Sequence, residues 1–419
     1  MEENNILSDT QFGFRPGFTV EDQLLLTYSQ VCSWYDAGYI VDVILFDFQK
    51  AFDVVSHTLL IEKLSRVGVG GTLLSWLSDF LTGRTIAVSL QGVASSSRGV
   101  TSGVPQGSVL GPILFLLYVN YLPSYITCKC KFFADDLKIY MEVRYETEAE
   151  LANDMSVVQA DIDKIVSVAA SWGLKLNSTK CNVLRFMRGR ASRIVGGFGG
   201  ICEYHINNSN ITFAQTCRDL GIMVDSELKF HAHIKSIVGK ASGISSNILS
   251  STLCRSPEFM VSIYIAHVRP LLEFSSCLWN VGYILDSKLL EGVQRRWTKQ
   301  IDGLTEVPYH ERLRRLNLYS VTGRLLRADM IKYWRIFHDE SPLEPNDLFV
   351  LSPNVGTRGH RYKLSNIRPS LECQRRSFGN RRVALWNSLP DALVSLTSLD
   401  AFKKALHNRL GQLLFEFDL

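Results

Sequence analysis

The chain has 419 residues, enough for two or three domains around a large core, and its 46% hydrophobic and 21% charged content is that of an ordinary globular protein, not of a disordered or fibrous one. Its net charge of +4 hides a basic stretch with 18 Lys/Arg against 9 Asp/Glu from Arg295 to Arg382, which suits either a nucleic-acid surface or a solvated helical one. The nine cysteines include no C-x-x-C pair, which leaves zinc ribbons and redox motifs unsupported and fits a reducing intracellular compartment, and the longest apolar run, about 113–119, falls far short of the ~20 residues a membrane helix needs.

In chain order, a helix is expected through Ala37, then a strand over 40–46 that is nearly continuous apolar sequence, as in a strand buried on both faces. It ends at Asp47. Ser56 is a plausible N-cap for a helix through Arg66, closed near Gly68. Residues 86–88 read as a strand between glycine turns. The loop Ser102-Gly103-Val104-Pro105-Gln106-Gly107 leads into a helix over 113–121. Phe133-Ala134-Asp135-Asp136 then sits between two short apolar stretches, a β-hairpin with acids at its tip. A helix over 148–172 spaces Leu151, Met155, Val158, Ile162, Ile165 and Val168 along one face. A strand over 181–187 follows, then a Gly-rich flexible connector over 189–200. Residues 230–336 are mainly helical, and Pro342, Pro345 and Pro353 mark a linker to a small basic tail.

Two adjacent carboxylates repel unless a cation neutralises them, and hard divalent ions want oxygen ligands. A third carboxylate at the end of a buried strand, Asp47, completes the usual donor set of a two-metal phosphoryl-transfer site, in which ions about 3.5–4 Å apart bridge attacking and leaving oxygens. The blander readings are turn chemistry for Asp135-Asp136 and helix capping for Asp47. His231 and His233 form the only close histidine pair and lack a third ligand nearby in sequence. Cys128 and Cys130 read as strand packing. Trp297 and Trp334, set among basic residues, suit base stacking or buried helix packing.

In the order strand-Asp, Pro-Gln-Gly loop, Ala-Asp-Asp hairpin, the chain resembles the palm of a reverse transcriptase. Gln11-Phe12-Gly13-Phe14-Arg15-Pro16-Gly17, Asp47-Phe48-Gln49-Lys50-Ala51-Phe52-Asp53 through His57, and Trp172-Gly173-Leu174-Lys175-Leu176-Asn177 through Cys181 resemble blocks of the non-LTR (LINE-type) retrotransposon enzymes. Asp219-Leu220-Gly221-Ile222 resembles their primer grip, and 267–273 and 376–390 resemble the tail of jockey- or CR1-like elements. The resemblance implies an α+β fold: a right-hand polymerase palm (an antiparallel sheet with packed helices), partial fingers, a helical thumb and a small C-terminal region. The corresponding divisions are partial fingers over 1–38, palm over 39–235, thumb over 236–340 and a basic C-terminal region over 341–419.

The resemblance also implies roles. Asp47, Asp135 and Asp136, with the Phe48 carbonyl, would hold two Mg²⁺ ions, with Mn²⁺ as a substitute. Phe52 would press on the nucleotide sugar, Gln106 would contact the nucleotide, Lys180 would act as an acid toward pyrophosphate, and Arg15 would reach template or nucleotide phosphates. Asp53 and His57 would orient the Asp47 loop, and Leu220 and Gly221 would form the primer grip. The expected partners are an RNA template, a DNA primer, dNTPs and element RNA as a ribonucleoprotein, in cytoplasm and nucleus, with no membrane. Phe133 stands where many relatives carry Tyr. The chain begins almost at the Gln11 block, whereas relatives have upstream fingers and usually an endonuclease, so a truncated element is expected. The alternative is a noncatalytic nucleic-acid-binding remnant; an RNA-dependent RNA polymerase is more distant.

Overall fold

A computed structural model describes residues 6–198, 203–353 and 359–415. The chain is mixed α and β and divides into two compact units, one of residues 1–20 with 38–215 and one of residues 21–37 with 216–419.

The first unit is built on a five-stranded sheet. Its strands are β1 (Ile40–Phe46), β6 (Lys129–Phe133), β7 (Asp136–Val143), β8 (Asn182–Phe186) and β11 (Thr212–Ala214), in the order β11-β8-β1-β7-β6. The apolar run of β1 makes it the central strand, antiparallel to β7 and β8, while β11 joins β8 in parallel. The small ribbons β2 (Thr85–Ile86) with β5 (Arg98–Gly99), β3 (Ser89–Leu90) with β4 (Val93–Ala94), and β9 (His205–Ile206) with β10 (Ser209–Asn210) stand apart from it. Of the strand expected over 86–88 only Ile86 lies in a strand, the end of β2, and residues 87 and 88 form the connection to β3.

The helices α2 (His57–Arg66), α4 (Leu110–Val119) and α5 (Glu148–Ser171) share one core with the sheet, into which Ile44, Phe46, Leu60, Leu64, Phe115, Leu117, Ile139, Val158 and Ile162 are buried. Ser56 caps α2 by accepting from the Leu59 N–H, and Thr147 with Glu150 forms a capping box on α5. The helix α3 (Gly71–Leu81) packs on α2. The α4 helix starts at Leu110, ahead of the expected 113, because Gly111 and Pro112 are tolerated in a first turn whose N–H groups lack intrahelical partners anyway. The connector expected over 189–200 is corrected: α6 (Gly189–Gly197) is a helix with Ala191 and Val195 buried. Burial of that apolar pair overrides the glycines' entropy cost; residues 199 and 200 lie outside the described residues.

A buried ion pair runs through the sheet. Asp42 on β1 accepts from Arg185 Nε (2.7 Å) and Nη2 (2.6 Å) and from the Tyr204 hydroxyl (2.7 Å). Three hydrogen bonds offset the cost of removing that carboxylate from water.

The second unit begins with α1 (Val20–Ala37), of which residues 21–37 belong to it. The hairpin β12 (Thr216–Asp219) and β13 (Ile222–Asp225) leads into α7 (His231–Ser251). Tyr28 on α1 donates to the buried Asp219 (2.8 Å), and Lys332 pairs with Asp22. Helix Val321–Phe337 packs on helix Leu399–Phe415 so closely that a Cβ on Gly323 would lie 2.3 Å from the Leu414 carbonyl oxygen. Residues 359–415 thus join the same compact unit as 216–340. Trp297 and Trp334 are fully buried, which settles them as packing residues. Arg381 (2.6 Å) and Arg382 (3.4 Å) converge on the buried Asp329, and Arg324 pairs with Glu273, so part of the basic excess after Arg295 is internal. Among the described residues no helix is long and apolar enough to cross a membrane.

Candidate active site

The β1–β7 register pairs Phe46 with Leu137, so one step further along each strand Asp47 stands beside Asp136. Asp135 sits in the two-residue turn between β6 and β7, whose first residue, Ala134, has φ 57°. A positive φ at that position is what a tight hairpin turn requires, because it matches the twist of the flanking strands. Asp47 and Asp135 are half-buried and Asp136 is exposed. Burial pushes the Asp135 carboxyl above its ordinary range, and the Asp47 charge adds to the rise.

The hairpin tip is pinned from the N-terminal segment. Gln11 Oε1 accepts from the N–H groups of both Gly13 (2.7 Å) and Ala134 (2.9 Å). Phe12 N donates to Phe132 O (2.9 Å) and Phe132 N to Thr10 O (2.8 Å). Gly13 lies flat on the turn, where a Cβ would meet Ala134 N at 2.3 Å, so only glycine fits there. The sequence marks this segment only through its family block; its contact with the turn is not readable from spacing.

A second set of bonds holds the Asp47 end. Asn177 N donates to Asp47 O (2.8 Å) and Gln49 N to Lys175 O (2.8 Å), with Phe48 opposite Leu176 between them. In such a non-bonded antiparallel pair the Phe48 carbonyl points away from Leu176 and remains available. Lys180 Nζ, well exposed, lies 3.7 Å from Oδ2 of the half-buried Asp47.

The Pro-Gln-Gly loop is stitched to the segment after Asp47. Gly103 N donates to Val55 O (2.8 Å), Val104 N to Phe52 O (2.9 Å) and Ser102 Oγ to Asp53 O (2.9 Å). The Gly103 carbonyl accepts from Arg84 Nη2 (2.8 Å) and lies 2.9 Å from His57 Nε2. Gln106 Nε2 donates to Asp53 Oδ1 (2.7 Å). Asp53 and His57 therefore bridge the two loops, and Arg84 joins them without any sequence signal. Phe52, Pro105, Gln106, Gly107, Gly111 and Pro112 line a cleft of about 310 Å³.

Of the other expected site residues, Arg15 bonds the carbonyls of Ser8 and Gln11 (both 3.2 Å) and lies over Phe18. Leu220 and Gly221 form the β12–β13 turn of the second unit, with φ 44° and 90°. His231 pairs with Asp286 (2.5 Å), and His233 Nδ1 accepts from Met223 N (3.3 Å). Each imidazole thus has a protein partner at its Nδ1.

Among the described residues no group of three His, Cys, Asp or Glu side chains is arranged to hold a metal ion as it stands. The donor chemistry at the hairpin nevertheless suits a hard cation: only oxygens are offered, and a cation there would offset both the burial that chiefly raises Asp135 and the smaller repulsion from Asp47.

Residues 1–224 match the family model described as reverse transcriptase (RNA-dependent DNA polymerase). The chain belongs to the reverse transcriptase family. Its relatives include the probable RNA-directed DNA polymerase from transposon X-element of Drosophila melanogaster, 26% identical over 72% of this chain and 33% of that protein. The RNA-directed DNA polymerase from mobile element jockey of the same species is 30% identical over 54% of this chain and 24% of its own. The expected resemblance to jockey-like non-LTR enzymes thus holds for this reverse transcriptase chain, which spans about a third or less of those relatives' length. Among solved structures, apo telomerase from Candida Tropicalis aligns over 74% of this chain and 50% of its own at 11% identity, with a TM-score of 0.37, too distant a likeness to carry residue roles.

Proposed function

We propose that this chain carries the polymerase site of a non-LTR retrotransposon reverse transcriptase, which extends a DNA primer on an RNA template by attack of the primer 3′-hydroxyl on the α-phosphate of a dNTP. The observation that carries the reading is the β1–β7 register, which sets Asp47 beside the Asp135–Asp136 turn. In this reading Asp47, Asp135 and Asp136, with the Phe48 carbonyl, would hold two Mg²⁺ ions, or Mn²⁺ in their stead. Bound divalent ions would lower the hydroxyl's pKa and neutralise the leaving pyrophosphate.

The chain's own groups do the positioning. Phe52 presses on the sugar and excludes a 2′-hydroxyl by sterics. Gln106, steered by Asp53, offers its amide to the nucleotide without adding charge. Lys180, already beside Asp47, delivers a proton toward pyrophosphate, and Arg15 reaches template or nucleotide phosphates. Leu220 and Gly221 serve as the primer grip. The regions are partial fingers (1–38), palm (39–235), thumb (236–340) and a basic C-terminal region (341–419). The hybrid is held through shape and phosphates, and the element RNA travels with the protein as a ribonucleoprotein.

Primer extension on poly-rA/oligo-dT with Mg²⁺ tests the reading. Incorporation by the parent chain that Asp135→Asn abolishes supports it. Hybrid binding without any incorporation by the parent would identify a noncatalytic nucleic-acid-binding remnant instead.

A further inference from the structure

We propose that Phe14 is a specificity-determining residue for the nucleotide sugar, acting by holding Phe52 in place. The inference rests on the sugar-wall reading of Phe52 and extends it to a second ring. Phe52 stacks on Phe115 of α4, with centroids 4.3 Å apart and ring planes 20° apart. Phe14 meets Phe52 from elsewhere, edge-on, with centroids 6.4 Å apart. Phe52 therefore has one face-on and one edge-on neighbour, both favoured aromatic geometries. Phe52 also lines the cleft that contains Gln106.

Phe14 is an odd residue to find in this position. Its backbone sits in the left-handed region, φ 54°, and the residue is 55% exposed. A bulky side chain at positive φ is a true outlier that costs on the order of 1–3 kcal/mol and persists only where neighbours over-determine it. Here they do. Phe12 is bonded to Phe132, Gly13 is wedged on Ala134, and Gln11 ties both N–H groups together. The segment that fixes the acid-bearing turn thus ends by presenting an exposed aromatic ring to the sugar wall. Burial cannot be the main reason for that side chain, because the residue is exposed. Its contact with Phe52 is the feature that the strained backbone serves.

The geometry ties two properties together. One short segment, 11–14, anchors the turn that carries Asp135 and backs the ring that senses the sugar. Removing the Phe14 ring frees Phe52 to pivot away from Phe115 and widens the space a 2′-hydroxyl would need. The sensitive quantity is then discrimination between dNTP and rNTP, not overall activity.

The test compares Phe14→Ala, Phe14→Tyr and Phe52→Ala with the parent chain. Each is loaded with poly-rA/oligo-dT, and binding of dTTP and UTP is titrated in Ca²⁺, which allows binding to be read without turnover; where the parent incorporates, kcat/KM ratios in Mg²⁺ are measured as well. Phe14→Ala is expected to lower the dTTP-over-UTP preference at least about tenfold, mainly by tighter UTP binding, with dTTP binding little changed and Phe14→Tyr near the parent. If Phe52→Ala shifts the preference and Phe14→Ala does not, this inference is wrong while the sugar-wall reading stands. If neither variant shifts it, or the parent shows no preference or binds neither nucleotide, the sugar-wall reading fails and this inference with it. Equal weakening of both nucleotides by Phe14→Ala marks a merely structural ring and also overturns the proposal.

Discussion

Asp135 is where stability and function oppose each other. Its carboxyl is held above the ordinary value by burial first and by the Asp47 charge in addition. A raised acid disfavours its own ionised form, so its destabilising contribution is fully present above the folded-state value and disappears as pH falls through that value toward the ordinary one. Asp135→Asn is therefore expected to raise the melting temperature at pH 7 in EDTA, with the gain vanishing in acid, while incorporation drops by about a thousandfold or more. A melting temperature that falls at pH 7 would show that the carboxylate is satisfied without a cation. His233 works in the opposite direction. Burial depresses it to about 4 from 6.5, and the charges of Lys240 and Arg218 push the same way. It stays neutral in the fold, where its Nδ1 accepts from Met223 N, while the unfolded chain takes up a proton. Stability linked to it is present above about 6.5 and is lost as pH falls from there to about 4. His233→Gln should flatten that part of the pH–stability curve, as read by denaturant titration across the window.

At the scale of elements, the hairpin is placed by a segment it meets more than a hundred residues away. Gly13→Ala forces a Cβ against the backbone of Ala134, a contact of 2.3 Å with no flexible side chain to yield. Overpacking of this kind costs about 1–3 kcal/mol. The substitution is expected to displace the turn and weaken incorporation more than it weakens folding. Gln11→Ala leaves the N–H groups of Gly13 and Ala134 without their acceptor, at about 1–3 kcal/mol for each buried group. Hydrogen exchange at Ala134 measures that loss directly, and unchanged protection there would refute the pinning role of Gln11. Much of the element layer was legible in the sequence. The run before Asp47 made a central strand, Ser56 made a cap, and the hairpin acids fell at a turn. The α6 helix was missed because glycine composition argues for a loop, while the burial of Ala191 and Val195 that decides it is a tertiary fact.

At the scale of the whole molecule, chain order and packing order differ. Residues 21–37 precede the central strand yet pack with 216–419. Asp219 relies on Tyr28 and Lys332 on Asp22. A fragment ending at residue 215 is expected to expose Leu24, Leu25, Tyr28 and Val31, to bind a hydrophobic dye and to lose amide protection along α1, all of which the full chain resists. Equal protection of α1 in fragment and full chain would overturn this division. Arg381 tests the second unit alone. Replacing it with Met leaves the buried Asp329 with only the longer Arg382 contact and is expected to cost about 3–5 kcal/mol, as breaking a buried pair does.

The sequence by itself determined the kind of chemistry. Carboxylates at a strand end and in a hairpin, a Pro-Gln-Gly loop and their order along the chain are local facts, set by residue type and by backbone preferences within a few positions. Tertiary structure alone decided which side chains meet. Gln11 on the Ala134 turn, Asp53 on Gln106, Asp42 on Arg185 and Phe14 on Phe52 join residues separated by 38 to 143 positions. The physical reason is that such partners are selected by packing and by the need to satisfy buried polar groups, and neither leaves a periodic trace in a one-dimensional sequence.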